Sequence, residues 1–162
     1  MLQGNKNQGG YLLLELTVGI GLMALTCCLL MPSTDAYLHF YYRQQLRQAA
    51  NQVAADIRFL QQEAMFSKSL SSIMQVNLRK ADGYTILRNL SDGNGQRVDF
   101  ARLGCSNVYF TTQNLRPQFS HNGSPMATGM LELHHNRLKD CYYTISLQPV
   151  TGRVVLNEVL AK

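Results

Sequence analysis

The chain is 162 residues long, which leaves room for one modest domain and excludes several. Its hydrophobic content of 46% suffices for a small core even after an apolar anchor is set aside. Fifteen Lys and Arg against ten Asp and Glu give a formal charge of +5, a mild basic excess that hints at anionic partners without demonstrating one.

Met1 to Gly10 contains Gly4, Asn5, Asn7, Gln8, Gly9 and Gly10, a composition too polar and flexible to fold alone. From Tyr11 to Met31 the only charged side chain is Glu15. At about 1.5 Å per residue this stretch spans a hydrocarbon layer of about 30 Å as one helix. A carboxylate inside such a segment is costly in lipid and marks function. Two plainer readings stand beside that one. An ordinary anchor can tolerate one acid near its end. A secretory signal peptide could end near Thr34-Asp35-Ala36, although such apolar cores run about 7 to 15 residues after a basic start, and here only Lys6 precedes a longer core. Lys6 is also the only residue favouring a cytoplasmic N-terminus, since no basic residue follows until Arg43.

Gly10-Tyr11-x-x-x-Glu15, entered by a polar leader ending Gly9-Gly10 and continued by an apolar helix, resembles the type III (prepilin) signal of type IV pilins and type II secretion pseudopilins. That resemblance implies cleavage between Gly10 and Tyr11 by a membrane prepilin peptidase, with methylation of the new amino terminus. Tyr11 stands where the family usually has Phe or Met, and Pro32 falls where members commonly carry a helix proline. A buried carboxylate seeks a cationic partner or takes up a proton. The freed amine of a neighbouring subunit is such a partner, so Glu15 is expected to set register between packed helices, as the resemblance also implies.

Pro32 removes one helical hydrogen bond and is expected to kink or break the element. Beyond it, Leu38, Tyr42, Leu46, Ala49, Val53, Ile57, Leu60 and Ala64 recur at steps of three or four. This predicts an amphipathic helix over 32–66, with Arg43, Gln44, Arg47, Gln48, Asn51, Gln62 and Glu63 on its other face. Tyr11 to Phe66, if helical throughout, measures roughly 85 Å. Its outer half is expected to dock on the sheet that follows, and other copies to cover the rest.

After the serine-rich segment Ser67 to Ser72 the period becomes two. Strands are predicted at Ile73 to Arg79, Tyr84 to Leu90, Gln96 to Arg102, Val108 to Thr112, Met130 to His135, Tyr142 to Gln148 and Arg153 to Leu160. Turns are predicted at Asp82-Gly83, Asp92-Gly93-Asn94-Gly95, Asn122-Gly123, Asn136-Arg137 and Thr151-Gly152. The fold class is therefore α+β: a long N-terminal helix, half transmembrane and half amphipathic, packed on an antiparallel β-rich domain over 73–162. Phe119-Ser-His-Asn-Gly123, Gly129-Met-Leu-Glu-Leu133, Tyr143-Thr-Ile-Ser-Leu147 and Thr151-Gly152-Arg153-Val154 are similar to the closing pattern of the GspH and FimT pseudopilin group, with Met130 where members usually have Thr.

Cys27 and Cys28 lie in the apolar helix and read as small hydrophobes, with palmitoylation the alternative. Cys105 and Cys141 lie in the outer domain, where a disulfide is expected if that domain leaves the cytoplasm; two separate buried thiols are the alternative. Cys105, His121, His134, His135 and Cys141 have no metal-ligand spacing, and adjacent His134 and His135 on a strand would face opposite ways. No metal, cofactor or catalytic arrangement is predicted, and the chain reads as no enzyme. Two functions remain open. One is a minor pilin or pseudopilin, single-pass in the inner membrane with its C-terminal domain outside the cytoplasm, that assembles with sister subunits into a type II secretion pseudopilus or type IV pilus. The other is a DNA-binding minor pilin acting in DNA uptake, with Arg137, Lys139 and Arg153 as candidate phosphate contacts.

Overall fold

A helix with apolar residues on every side and a helix with one apolar stripe follow each other along the chain, and among the described residues seven short strands come after them. The structure, a computed structural model, describes residues 8–30, 33–67, 73–76, 81–87, 95–112 and 115–161. The helices are α1 (Gln8–Leu30) and α2 (Ser33–Ser67). Met31 and Pro32, with the expected kink, lie outside the described residues, as do most of the serine-rich segment and the Asp92-Gly93-Asn94 turn. The chain divides into two compact units, Met1–Phe40 and Tyr41–Lys162.

In the second unit, α2 buries Leu46, Ala49, Ala50, Val53, Ala54, Ile57, Leu60 and Ala64, while Arg43, Gln44, Arg47, Gln48, Asn51 and Gln62 stay exposed. Four of these core positions are alanines, and the larger side chains are Leu46, Val53, Ile57 and Leu60. The stripe starts later than the periodicity predicts. Leu38 is exposed and Tyr42 half-buried, and the fully buried positions begin at Leu46.

The strands form two antiparallel sheets. The first holds β1 (Ile73–Val76), β2 (Gly83–Leu87) and β3 (Gly95–Asp99) in that order. The second holds β4 (Val108–Phe110), β5 (Met130–His135), β6 (Leu138–Leu147) and β7 (Val154–Leu160), also in chain order. In the second sheet alternate residues enter the core: Leu131, Leu133 and His135 on β5, and Cys141, Tyr143, Ile145 and Leu147 on β6. A register shift between Leu133 and His135 precedes the tight Asn136-Arg137 turn. The predicted strand Gln96 to Arg102 stops at Asp99, and Phe100–Leu103 is a 3-10 turn. Gly104 caps that turn at φ +78, a left-handed conformation that glycine adopts without steric cost. β6 begins four residues before the predicted Tyr142, because Leu138 already pairs with His135.

Two glycines of the C-terminal pattern meet at one place on α2. Gln61 Nε2 donates to the Gly123 carbonyl at 2.9 Å, and a Cβ on Gly152 would land on that same carbonyl. Gly152 also sits at φ +63, so backbone conformation and close approach both require glycine there. The sequence pattern thus reads, in three dimensions, as the clasp joining the β6–β7 turn, the Phe119–Pro125 loop and the helix.

A polar pair lies inside the core. The hydroxyl of Tyr84, which is fully buried, donates to Asp56 Oδ2 on α2, and Asp56 Oδ1 accepts from Gln52 at 3.2 Å. Burial, and then the hydrogen bond to Asp56, holds the Tyr84 phenol well above its ordinary range. The unfolded phenol ionises near pH 10, whereas the folded one keeps its proton. The stabilisation it carries is therefore complete below about pH 10 and is lost as pH rises above it, by about 1.4 kcal/mol per pH unit. Wild type and Tyr84→Phe should accordingly lose stability in parallel up to that pH and diverge above it, the wild type falling more steeply in urea titrations. Parallel curves throughout would remove Tyr84 as the cause.

Candidate functional site

The site predicted from sequence lies on α1, within the first unit. Tyr11, Leu12, Leu13, Leu14, Leu16, Val18, Ile20, Leu22, Met23, Leu25, Leu29 and Leu30 are each more than half exposed. A helix apolar on all sides is stable in that condition only when lipid or other helices surround it. Its polar groups are arranged to suit. Thr17 Oγ1 donates to the Leu14 carbonyl and Thr26 Oγ1 to the Met23 carbonyl, both at 2.8 Å, so neither hydroxyl needs a partner from outside the helix. Glu15 is exposed on this surface and makes no ion pair or hydrogen bond with the described residues. Gly10 and Tyr11 belong to the same helix one turn earlier, and Tyr11 is 79% exposed. Cys27 and Cys28 are free and exposed on it.

The candidate sites in the second unit come apart. Cys105 and Cys141, the residues of the expected disulfide, are both buried and carry free thiols in this structure. Cys105 precedes β4, Cys141 is on β6, and β5 runs between those strands. The Cys105 thiol donates to the Gln45 carbonyl at 3.3 Å, and burial pushes both thiols up.

Arg137, Lys139 and Arg153 are exposed, yet they do not form one patch. Arg137 lies in the β5–β6 turn and Lys139 at the start of β6, whereas Arg153 adjoins Val154, the partner of Leu147 at the far end of that strand. At about 3.3 Å per residue, the two ends are about 25 Å apart. Arg137 is also engaged: Nη1 donates to the Tyr42 hydroxyl at 3.2 Å and the guanidinium lies 5.9 Å from the ring centroid.

His134 and His135 do face opposite ways. His135 is buried, with Nε2 3.4 Å from Gln45 Oε1 and Nδ1 accepting from the Arg137 amide at 3.2 Å; burial, and then Arg137, lowers its pKa. His134 stacks on Tyr142 across the outer face, centroids 4.7 Å apart. Among the described residues no three His, Cys, Asp or Glu side chains gather as metal ligands would. Sequence reasoning missed the His135–Gln45–Arg137 cluster and the Tyr84–Asp56 pair. Both join residues far apart in the chain, and a single sequence carries no signal for such contacts.

Compared as a sequence, the chain matches no family and no curated protein. Compared as a structure, it is similar to the type IV minor pilin FimU of Pseudomonas aeruginosa (strain PAO1) in two crystal forms. In the first, 73% of this chain aligns with 92% of FimU at a TM-score of 0.57 and 19% identity. In the second the coverage is 69% and 92%, with a TM-score of 0.52 and 17% identity. At such identity the likeness carries the architecture, and on that ground this chain, with its N-terminal helix and two antiparallel sheets, has the fold of a type IV minor pilin.

Proposed function

We propose that the chain is a minor pilin or pseudopilin, a non-enzymatic structural subunit of a type IV pilus or type II secretion pseudopilus. A prepilin peptidase removes residues 1–10 by cutting between Gly10 and Tyr11. Residues 11–31 hold the subunit in the inner membrane, and the domain over 73–162 lies outside the cytoplasm. Glu15 then sets the register of the helix among its neighbours when the subunit is extracted into the filament.

The observation that carries this reading is the exposed apolar surface of α1 with a single carboxylate near its start. The buried hydrophobic core is built of residues from Leu46 to Val154, all in the second unit. The likeness to FimU adds the architecture, and it favours a minor pilin over an unrelated anchored domain. The DNA-uptake reading draws no comparable support, because its three basic residues are spread along a strand and one of them is engaged with Tyr42.

Mass spectrometry of the protein purified from membranes of its native host tests the processing step. The expected N-terminal peptide begins at Tyr11 and carries one added methyl group. A chain that retains Met1 to Gly10 would overturn the proposal.

A further inference from the structure

The uncharged part of the N-terminal segment is bracketed by two acids, Glu15 and Asp35, with Leu16 to Thr34 between them. That is close to the number of residues, about 20, that a hydrocarbon layer of about 30 Å takes up. Immediately after Asp35 come three large side chains with no work inside the chain: in the first unit Tyr37 is 67%, Leu38 43% and Phe40 59% exposed. Tyr37 and Phe40 are three residues apart on α2 and so share one side of that helix. Side chains on a helix tilt toward its N-terminus, which directs these rings toward the start of α2. Tyr11 lies at the opposite end, one turn before Glu15.

We propose that Tyr37 and Phe40 form an aromatic anchor in the outer headgroup layer of the bilayer, with Tyr11 its counterpart at the inner one. The Tyr37 ring favours that layer because it receives both the ring and the hydroxyl, and Phe40 beside it adds apolar area at the boundary. Together with the two acids they fix the depth of the stored subunit: Leu16 to Thr34 occupies the hydrocarbon, and Glu15 stands at its inner boundary. The Glu15 carboxylate is thereby hydrated while the subunit waits and is drawn into an apolar setting only on assembly. The stored state then avoids the cost of holding a bare charge in lipid. This inference rests on the membrane-anchoring reading given above and adds to it a lipid partner and a depth.

The chain contains no tryptophan, so single replacements report without background. Tyr37→Trp, Phe40→Trp, Leu25→Trp and Phe59→Trp variants of the full chain would be reconstituted, without sister subunits, into phosphatidylethanolamine and phosphatidylglycerol vesicles. The vesicles would carry nitroxide quenchers either near the headgroup or deep in the acyl chains. The tryptophans at 37 and 40 should be quenched more by the shallow probe, that at 25 more by the deep probe, and that at 59 by neither. If 37 and 40 behave like 59 while 25 is quenched by the deep probe, the aromatic anchor is wrong, the span stands, and those rings await a protein partner instead. If 25 is also unquenched, the anchoring reading itself fails.

Discussion

Replacing Phe100 with alanine is expected to lower the stability of the chain by about 3 to 5 kcal/mol, a large share of the roughly 5 to 15 kcal/mol that holds a domain together. Phe100 is fully buried where β3 gives way to the 3-10 turn, with ring centroids 5.3 Å from Phe110 and 6.1 Å from Tyr84. Tyr84 and Phe110 lie 6.3 Å apart, so the three rings close a triangle. The cost depends on how far the surroundings can collapse into the space left behind, and here they are fixed. The Phe100 amide donates to the Asp82 carbonyl at 3.0 Å, its carbonyl accepts from Cys105 at 2.9 Å, and Phe110 donates to the Ala81 carbonyl at 2.8 Å. Those backbone bonds join β2, the 3-10 turn and β4, and the cavity stays open. Urea titration of the full chain in mild detergent, followed by circular dichroism, measures the loss. Phe59→Ala is the reference: its ring is half exposed on α2, and its change should stay within about 0.5 kcal/mol. Equal midpoints for the two variants would mean that the aromatic triangle contributes no more than a surface ring.

The amount of this architecture legible in the sequence follows how local its causes are. A period of two marks β4 and β5 clearly, because alternation is a property of neighbouring residues, and the two-helix start is visible in hydropathy alone. Element ends are less legible. The Phe100 turn continues the alternation of β3 and is set apart from it by hydrogen bonds to Asp82 and Cys105, which no local pattern announces. Long-range pairing is the least legible part. Cys105 and Cys141 invite a bridge by number and compartment, yet both thiols are free and buried in the structure. Arg137, Lys139 and Arg153 are close in the chain, yet a ten-residue strand carries the last away from the first two. On α1 the situation is reversed: one carboxylate in an uncharged helix stands out in the sequence, and the structure adds that the surface around it is exposed.

Glu15→Ala is expected to abolish entry into the filament while leaving the folded domain and its membrane retention intact. The expectation follows from what the carboxylate has to meet on assembly. In the packed state it leaves water for a bundle of apolar helices, and an unpartnered charge there costs several kcal/mol. The freed amine of Tyr11 on a neighbouring copy is the cation that the proposed cut supplies. Removing one partner of such a buried pair costs about 3 to 5 kcal/mol, which corresponds to a loss of incorporation of about a hundredfold or more. The cost falls on the amine left behind as much as on the missing acid, so Glu15→Gln should recover only part of the loss. A double-variant cycle separates this pairing from a general effect of polarity. If the partner is the freed amine, a chain that cannot be cut at Gly10 has already lost it, and adding Glu15→Ala should cost little more. The measurement is the fraction of subunit found in sheared filaments relative to membranes, with a urea titration confirming that the β-rich unit is unchanged. Wild-type incorporation of Glu15→Ala would leave the acid without a role in assembly, and losses that simply add in the uncut background would separate its role from the amine.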